Sequence, residues 1–158
     1  MTDQLHQINV SYVPVEDRLL LRVSTKKGDE YRLWLTRRFT EMLINVLNRE
    51  IDKKGGMSSI ASSQETTKMF KEGAFDKSYE ADNIDYPLGE TGILAYRIKA
   101  GNTENGNLRL ELSPGTGKGM TLSLNRSLLY MFHNLLSQGI EQTGWRLISE
   151  ENASMKTH

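Results

Sequence analysis

The chain has 158 residues, 20 Lys and Arg balanced by 20 Asp and Glu, three His and no Cys, with a mean hydropathy of −0.52. That length suits one domain around one core, and zero net charge argues against a surface made to coat polyanions. The missing cysteine excludes disulfides, thiolate metal sites and thiol nucleophiles, and no apolar run approaches the ~18 residues of a membrane span.

Apolar residues alternate from the start. Ile8, Val10 and Tyr12, then Leu19, Leu21 and Val23, then Tyr31, Leu33 and Leu35 recur with the period of two that marks strands with one buried face. The turn before the third strand holds Lys26, Lys27 and Gly28. Thr36 occupies an N-cap position, and Phe39, Met42, Leu43, Val46, Leu47 and Ile51 form one helical stripe behind it. The same order returns later: Leu94, Tyr96 and Ile98, then Leu108, Leu110 and Leu112, then Met120, Leu122 and Leu124. Asn125 takes the cap position, and the second helix carries Leu128, Met131, Phe132, Leu135 and Leu136, with Gly139 as its stop signal.

Setting residues 19–51 on 108–140 without a gap gives 11 identities in 33 positions, among them Leu21/Leu110, Gly28/Gly117, Leu33/Leu122 and Arg37/Arg126. Chance would supply roughly two. One such unit buries too little by itself, so two should share a core. The fold class expected is α+β, an internal duplication of a βββα unit giving two antiparallel meanders and two helices with pseudo-twofold symmetry. The expected layout is a single domain over 1–158, with repeat one at 6–53 and repeat two at 91–141. A connector spans 54–90 and a tail 142–158.

The connector begins rich in Gly, Ser and Lys, which reads as a flexible loop. Ser62-Ser63-Gln64-Glu65 matches a capping box and predicts a short helix over 64–71. Acids gather at Asp76, Glu80, Asp82, Asp85 and Glu90, a pattern of solvated linkers. The tail has one apolar cluster at Trp145, Leu147 and Ile148.

The run Arg18-Leu-Leu-Leu-Arg-Val23, then Tyr31-Arg-Leu-Trp-Leu-Thr-Arg-Arg38, and the stretch Tyr86-Pro-Leu-Gly-Glu90 resemble a family of uncharacterised bacterial proteins across residues 8–140. That resemblance implies no particular activity. In topology, a duplicated sheet-then-helix unit is also similar to the Pur and Whirly single-strand binders, which use four strands per repeat where three are read here.

Catalytic and metal chemistry finds little support. Gly115-Thr-Gly-Lys-Gly119 lacks the first glycine, the Ser or Thr after the lysine and the helix of a phosphate loop, so it reads as a hairpin turn. His6, His133 and His158 have neither zinc spacing nor a nucleophile order. No cofactor, no metal and no enzymatic activity are expected.

The signal lies on the outward face of repeat one. If Leu19, Leu21, Leu33 and Leu35 point inward, then Arg18, Leu20, Arg22, Arg32 and Trp34 point outward, and Arg37 and Arg38 follow at the helix start. Residues 18–38 hold seven Lys or Arg against two acids. Repeat two carries Asn107, Arg109, Glu111, Thr121 and Ser123 at the matching outward positions. Arginines around a tryptophan suit a protein hot spot, and they also suit stacked bases and phosphates. The expectation is a non-enzymatic cytoplasmic binding or adaptor domain without a membrane partner. Its candidate contact residues are Arg18, Arg22, Arg32, Trp34, Arg37 and Arg38. They would take a protein partner or a second copy, or alternatively single-stranded nucleic acid.

Overall fold

A computed structural model describes residues 5–73, 78–80 and 85–147. Among them the fold is α+β, with two sheets and four helices. The first sheet begins with β1 (Leu5–Val13), β2 (Arg18–Thr25) and β3 (Glu30–Leu35), an antiparallel meander. Its inner face is the alternating apolar set: Leu19, Leu21, Val23, Leu33 and Leu35 are fully buried, and Ile8 and Tyr31 nearly so. The β1–β2 turn places Asp17 at φ 52, the one non-glycine residue in the left-handed region among the described residues.

Thr36 ends β3 and caps α1 (Arg37–Lys53), its hydroxyl accepting from the Phe39 amide. Phe39, Leu43, Ile44, Leu47 and Ile51 bury one stripe of that helix. The Gly- and Ser-rich stretch that follows contains α2 (Met57–Ala61), anchored by the fully buried Ile60. Next comes α3 (Gln64–Lys71). Its cap is Ser63 rather than Ser62: the Ser63 hydroxyl takes the Thr66 amide, and Thr66 Oγ1 donates to the Ile60 carbonyl at 2.7 Å. The third helical position is therefore filled by a buried Thr, which ties α3 back to α2, rather than by the acid of a capping box.

The second sheet is β5 (Arg97–Asn102), β6 (Leu108–Ser113) and β7 (Met120–Leu124), again antiparallel, and α4 (Arg126–Thr143) follows. Its registers Leu108↔Leu124, Leu110↔Leu122 and Leu112↔Met120 lie 89 residues beyond Leu19↔Leu35, Leu21↔Leu33 and Val23↔Tyr31. Asn125 caps α4 by accepting from the Leu128 amide, as Thr36 does for Phe39. Leu33 and Leu122 are both buried, as are Leu35 and Leu124.

Three expectations are corrected. Leu94 and Tyr96 do not alternate inward with Ile98. Leu94 belongs to a two-residue strand, β4 (Ile93–Leu94), that lies parallel to β3 as the fourth strand of the first sheet. Leu94 and Tyr96 are 46% and 54% exposed while Ala95 between them is buried, because the chain is crossing from one sheet to the other. The first sheet is accordingly four-stranded and mixed, not a pure meander. Gly139, finally, does not stop α4, which runs to Thr143 and ends on Gly144 at φ 73. Gly139 is buried where α4 crosses β1: a Cβ there would stand 2.8 Å from Val10 Cγ1. Its role is close approach of helix and strand. Ile148, assigned to the tail cluster, lies outside the described residues, while Trp145 meets the Tyr12 ring edge-on at 6.1 Å.

Candidate contact face

Alternation decides which side chains of the first sheet leave the core. With Leu21 and Leu33 inside, Leu20, Arg22, Arg32 and Trp34 stand on the opposite face. The register sets Leu20 against Trp34 and Arg22 against Arg32. Two guanidiniums directly opposite one another repel, so this face requires anions and rings to hold it.

The chain itself provides them. Arg32 pairs through Nε with the Glu30 carboxylate, donates from Nη1 to the Glu90 carbonyl at 2.6 Å and lies 4.6 Å over the Tyr86 ring. Arg22 donates to Asn9 Oδ1 at 3.1 Å and lies 4.5 Å over Tyr79. The Tyr79 hydroxyl donates to Glu30 Oε1 at 2.6 Å. Burial first, and then this bond to a carboxylate, push the phenol well above its ordinary pKa. Glu30 is only 1% exposed although it sits on the outward face. A buried carboxylate needs partners, and the guanidinium of its own strand and the phenol of the connector supply them.

The other end of the face stays open. Arg18 lies 4.7 Å over the Trp34 ring and bonds both Glu16 carboxylate oxygens at 2.8 Å. Trp34 is half-buried, and its indole N–H donates to the Thr91 carbonyl at 2.8 Å. Here the chain leading into β4 crosses so closely that Gly92, at φ 78, has no room for a Cβ, which would stand 2.6 Å from the Arg32 carbonyl. Between Leu20, Trp34, Gly92 and Leu94 lies a depression of ≈ 520 Å³, rimmed by Glu16, Arg18, Arg32 and Glu90.

The structure thus brings together Arg18, Arg22, Arg32 and Trp34 and leaves two candidates elsewhere. Arg37 donates to the Arg146 carbonyl at 2.9 Å, and Arg38 lies 5.9 Å from the Tyr96 ring. Sequence reasoning missed Tyr79 and Tyr86, the rings under the two opposed arginines. The signal for them was the Arg22–Arg32 pairing itself, which demands rings or anions from somewhere in the chain.

Of the acids read as a solvated stretch, Asp76 and Asp82 lie outside the described residues. Glu80 approaches His6 at 3.2 Å, while Asp85 and Glu90 act through backbone carbonyls that accept from the Glu30 amide and from Arg32. Among the described residues no group of three or more His, Asp or Glu could hold a metal ion, and no helix is long and apolar enough to cross a membrane. Gly115–Gly119 forms the β6–β7 turn, with Gly117 at φ 95, the value of Gly28 in the β2–β3 turn. His133 Nε2 meets Asn48 Oδ1 at 2.8 Å between α4 and α1. Its Nδ1 is buried without a partner among the described residues, and burial lowers its pKa.

Comparison with protein-family models, with curated proteins and with solved structures returned no match for this chain.

Proposed function

We propose that the protein is a non-enzymatic cytoplasmic binding or adaptor domain that engages a protein partner at the Leu20–Trp34–Leu94 depression of the first sheet. The observation that carries this reading is the state of the arginines. Arg18, Arg22 and Arg32 each hold a partner within the chain and a ring beneath the guanidinium. A phosphate backbone would have to displace those bonds, and a stacked base would have to displace Arg18 from Trp34. A protein side chain entering the depression displaces neither. The floor is apolar and aromatic and the rim carries both signs of charge, the composition of a protein hot spot with its polar surround. The titratable groups of this face hold one another rather than converging on a reacting atom.

The same reasoning extends to how the face arose. The fold is a duplicated βββα unit with pseudo-twofold symmetry. Its support is the constant 89-residue spacing of strand registers, helix caps and turn glycines. In one copy the outward positions acquired Trp34 and the arginines.

A photo-crosslinking side chain at Leu94 tests the function. Irradiation in a cell extract should capture one discrete protein, and Leu20→Asp in the same chain should abolish that capture without unfolding the domain. A mixed-sequence single strand at about 100 μM and low salt should leave the protein free, since even non-specific binders reach that range. Oligonucleotide binding lost with Trp34→Ala would replace the reading by the nucleic-acid one.

A further inference from the structure

The outward face of the second sheet is built differently. With Leu110, Leu112 and Leu122 buried, Arg97, Lys99 and Gly101 of β5 share the opposite face with Arg109 and Glu111 of β6. Arg97, Lys99 and Arg109 are exposed. None of the three forms an ion pair or hydrogen bond among the described residues. Lys99 lies opposite Glu111, and Arg109 lies opposite Gly101, where no side chain stands beside it. Among the described residues β5 is moreover an edge strand, paired only to β6.

The first sheet shows what such a face accepts. Its Arg32 is met by the carboxylate of Glu30 and by the Glu90 carbonyl, and the Tyr79 and Tyr86 rings lie beneath Arg22 and Arg32. On the second sheet the cations are in place, but none of the outward positions Gly101, Arg109, Glu111, Thr121 and Ser123 carries a ring. A surface without rings offers bases nothing to stack on. It offers an acidic partner three unpaired cations that can take carboxylates and, in the case of the two arginines, cover its aromatic rings. The chain's own connector is already engaged on the first sheet, so a second copy does not supply this occupant.

We propose that the Arg97–Lys99–Arg109 face binds an extended acidic, tyrosine-bearing segment of a partner protein, at a site separate from the Leu94 depression. The test uses the full chain and a labelled peptide of four Glu-Asp-Tyr repeats, titrated by fluorescence anisotropy at low salt. Binding should be saturable below about 100 μM and should weaken as salt rises. Gly101→Glu is the decisive variant: a Cβ at Gly101 meets nothing within 4 Å, so the fold is kept while a carboxylate is set beside Arg109. It should weaken peptide binding about tenfold or more, as should Arg97→Ala with Arg109→Ala. Leu94→Asp should leave peptide binding unchanged, which separates this proposal from the one above. Absence of saturable binding, or binding indifferent to Gly101→Glu, overturns it. So does tighter binding of a mixed-sequence single strand than of the peptide, with the same sensitivity to Gly101→Glu.

Discussion

The two sheets are alike within and unlike without. Both bury leucines at corresponding places, Leu19, Leu21, Leu33 and Leu35 in one and Leu108, Leu110, Leu122 and Leu124 in the other. Outside, the first is crossed by the connector, which buries Glu30 and covers Arg22 and Arg32, while β5 of the second is exposed at every position but Ile98. The helix contacts differ in the same sense. α4 lies tightly on β1 because Gly139 removes the side chain at the crossing. At the corresponding position α1 carries Glu50, buried beside Lys54, and a gap of ≈ 400 Å³ remains between Met42, Val46, Ile98 and Ala100. The buried positions of the two sheets therefore match, whereas their outward positions differ in side chains and in cover.

The strongest way to break this comparison is at the shared core. Leu33→Ala and Leu122→Ala should each lose about 2–5 kcal/mol, the cost of a large-to-small change in a packed interior. Denaturant unfolding would measure both. A loss confined to one sheet would show that the halves do not share one cooperative core.

The helix crossing comes next. Gly139→Ala places a methyl 2.8 Å from Val10 Cγ1, and overpacking of about 1–3 kcal/mol should outweigh the gain of up to ~1 kcal/mol that alanine brings to a helix. A more stable variant would mean that α4 can lift from β1 freely.

The cover on the first sheet is sharpened by Glu30→Gln. Removing that charge leaves Arg22 and Arg32 opposed with one anion fewer, and stability should fall by about 1–3 kcal/mol. Hydrogen exchange should rise at the described amides between 78 and 92 and stay unchanged in β6. Equal acceleration in both sheets would contradict a local cover.

Two titrations give gentler, signed effects. Tyr79 has a raised pKa in the fold, so the folded state holds its proton more tightly than the unfolded chain does. Stability should therefore decline as pH climbs past 10, and Tyr79→Phe should flatten that limb. His133 has a pKa lowered below 6.5 by burial, so the unfolded chain takes up the proton first. Stability should be greatest above pH 6.5 and decline below it, less steeply in His133→Gln. Chemical denaturation across pH reads both slopes.

The smallest effect is expected on the bare face. Arg97→Ala should change stability by no more than about 0.5 kcal/mol, as exposed positions without partners do. A larger loss would reveal a cover over the second sheet.

Much of the fold was legible in the order of residues. Period-two leucines separate the two faces of each strand, because successive side chains of a strand point to opposite sides. Thr36 and Asn125 mark helix starts because a short polar side chain there satisfies an otherwise orphaned amide. The outward set Arg18, Arg22, Arg32 and Trp34 followed from that same alternation. What alternation could not supply was anything carried by contacts distant in sequence. Ile93 and Leu94 look like the start of a new meander, yet they pair with β3, since short-range pattern does not say which sheet a strand joins. Gly139 looks like a helix stop until β1 is seen against it. The tyrosines of an acidic, polar segment look solvated until Arg22 and Arg32 are found above their rings, more than 50 residues away in the chain. Local periodicity set the inside of this protein. The state of its surface was decided by tertiary structure, because ion pairs, stacking and coverage depend on which distant residues the fold places side by side.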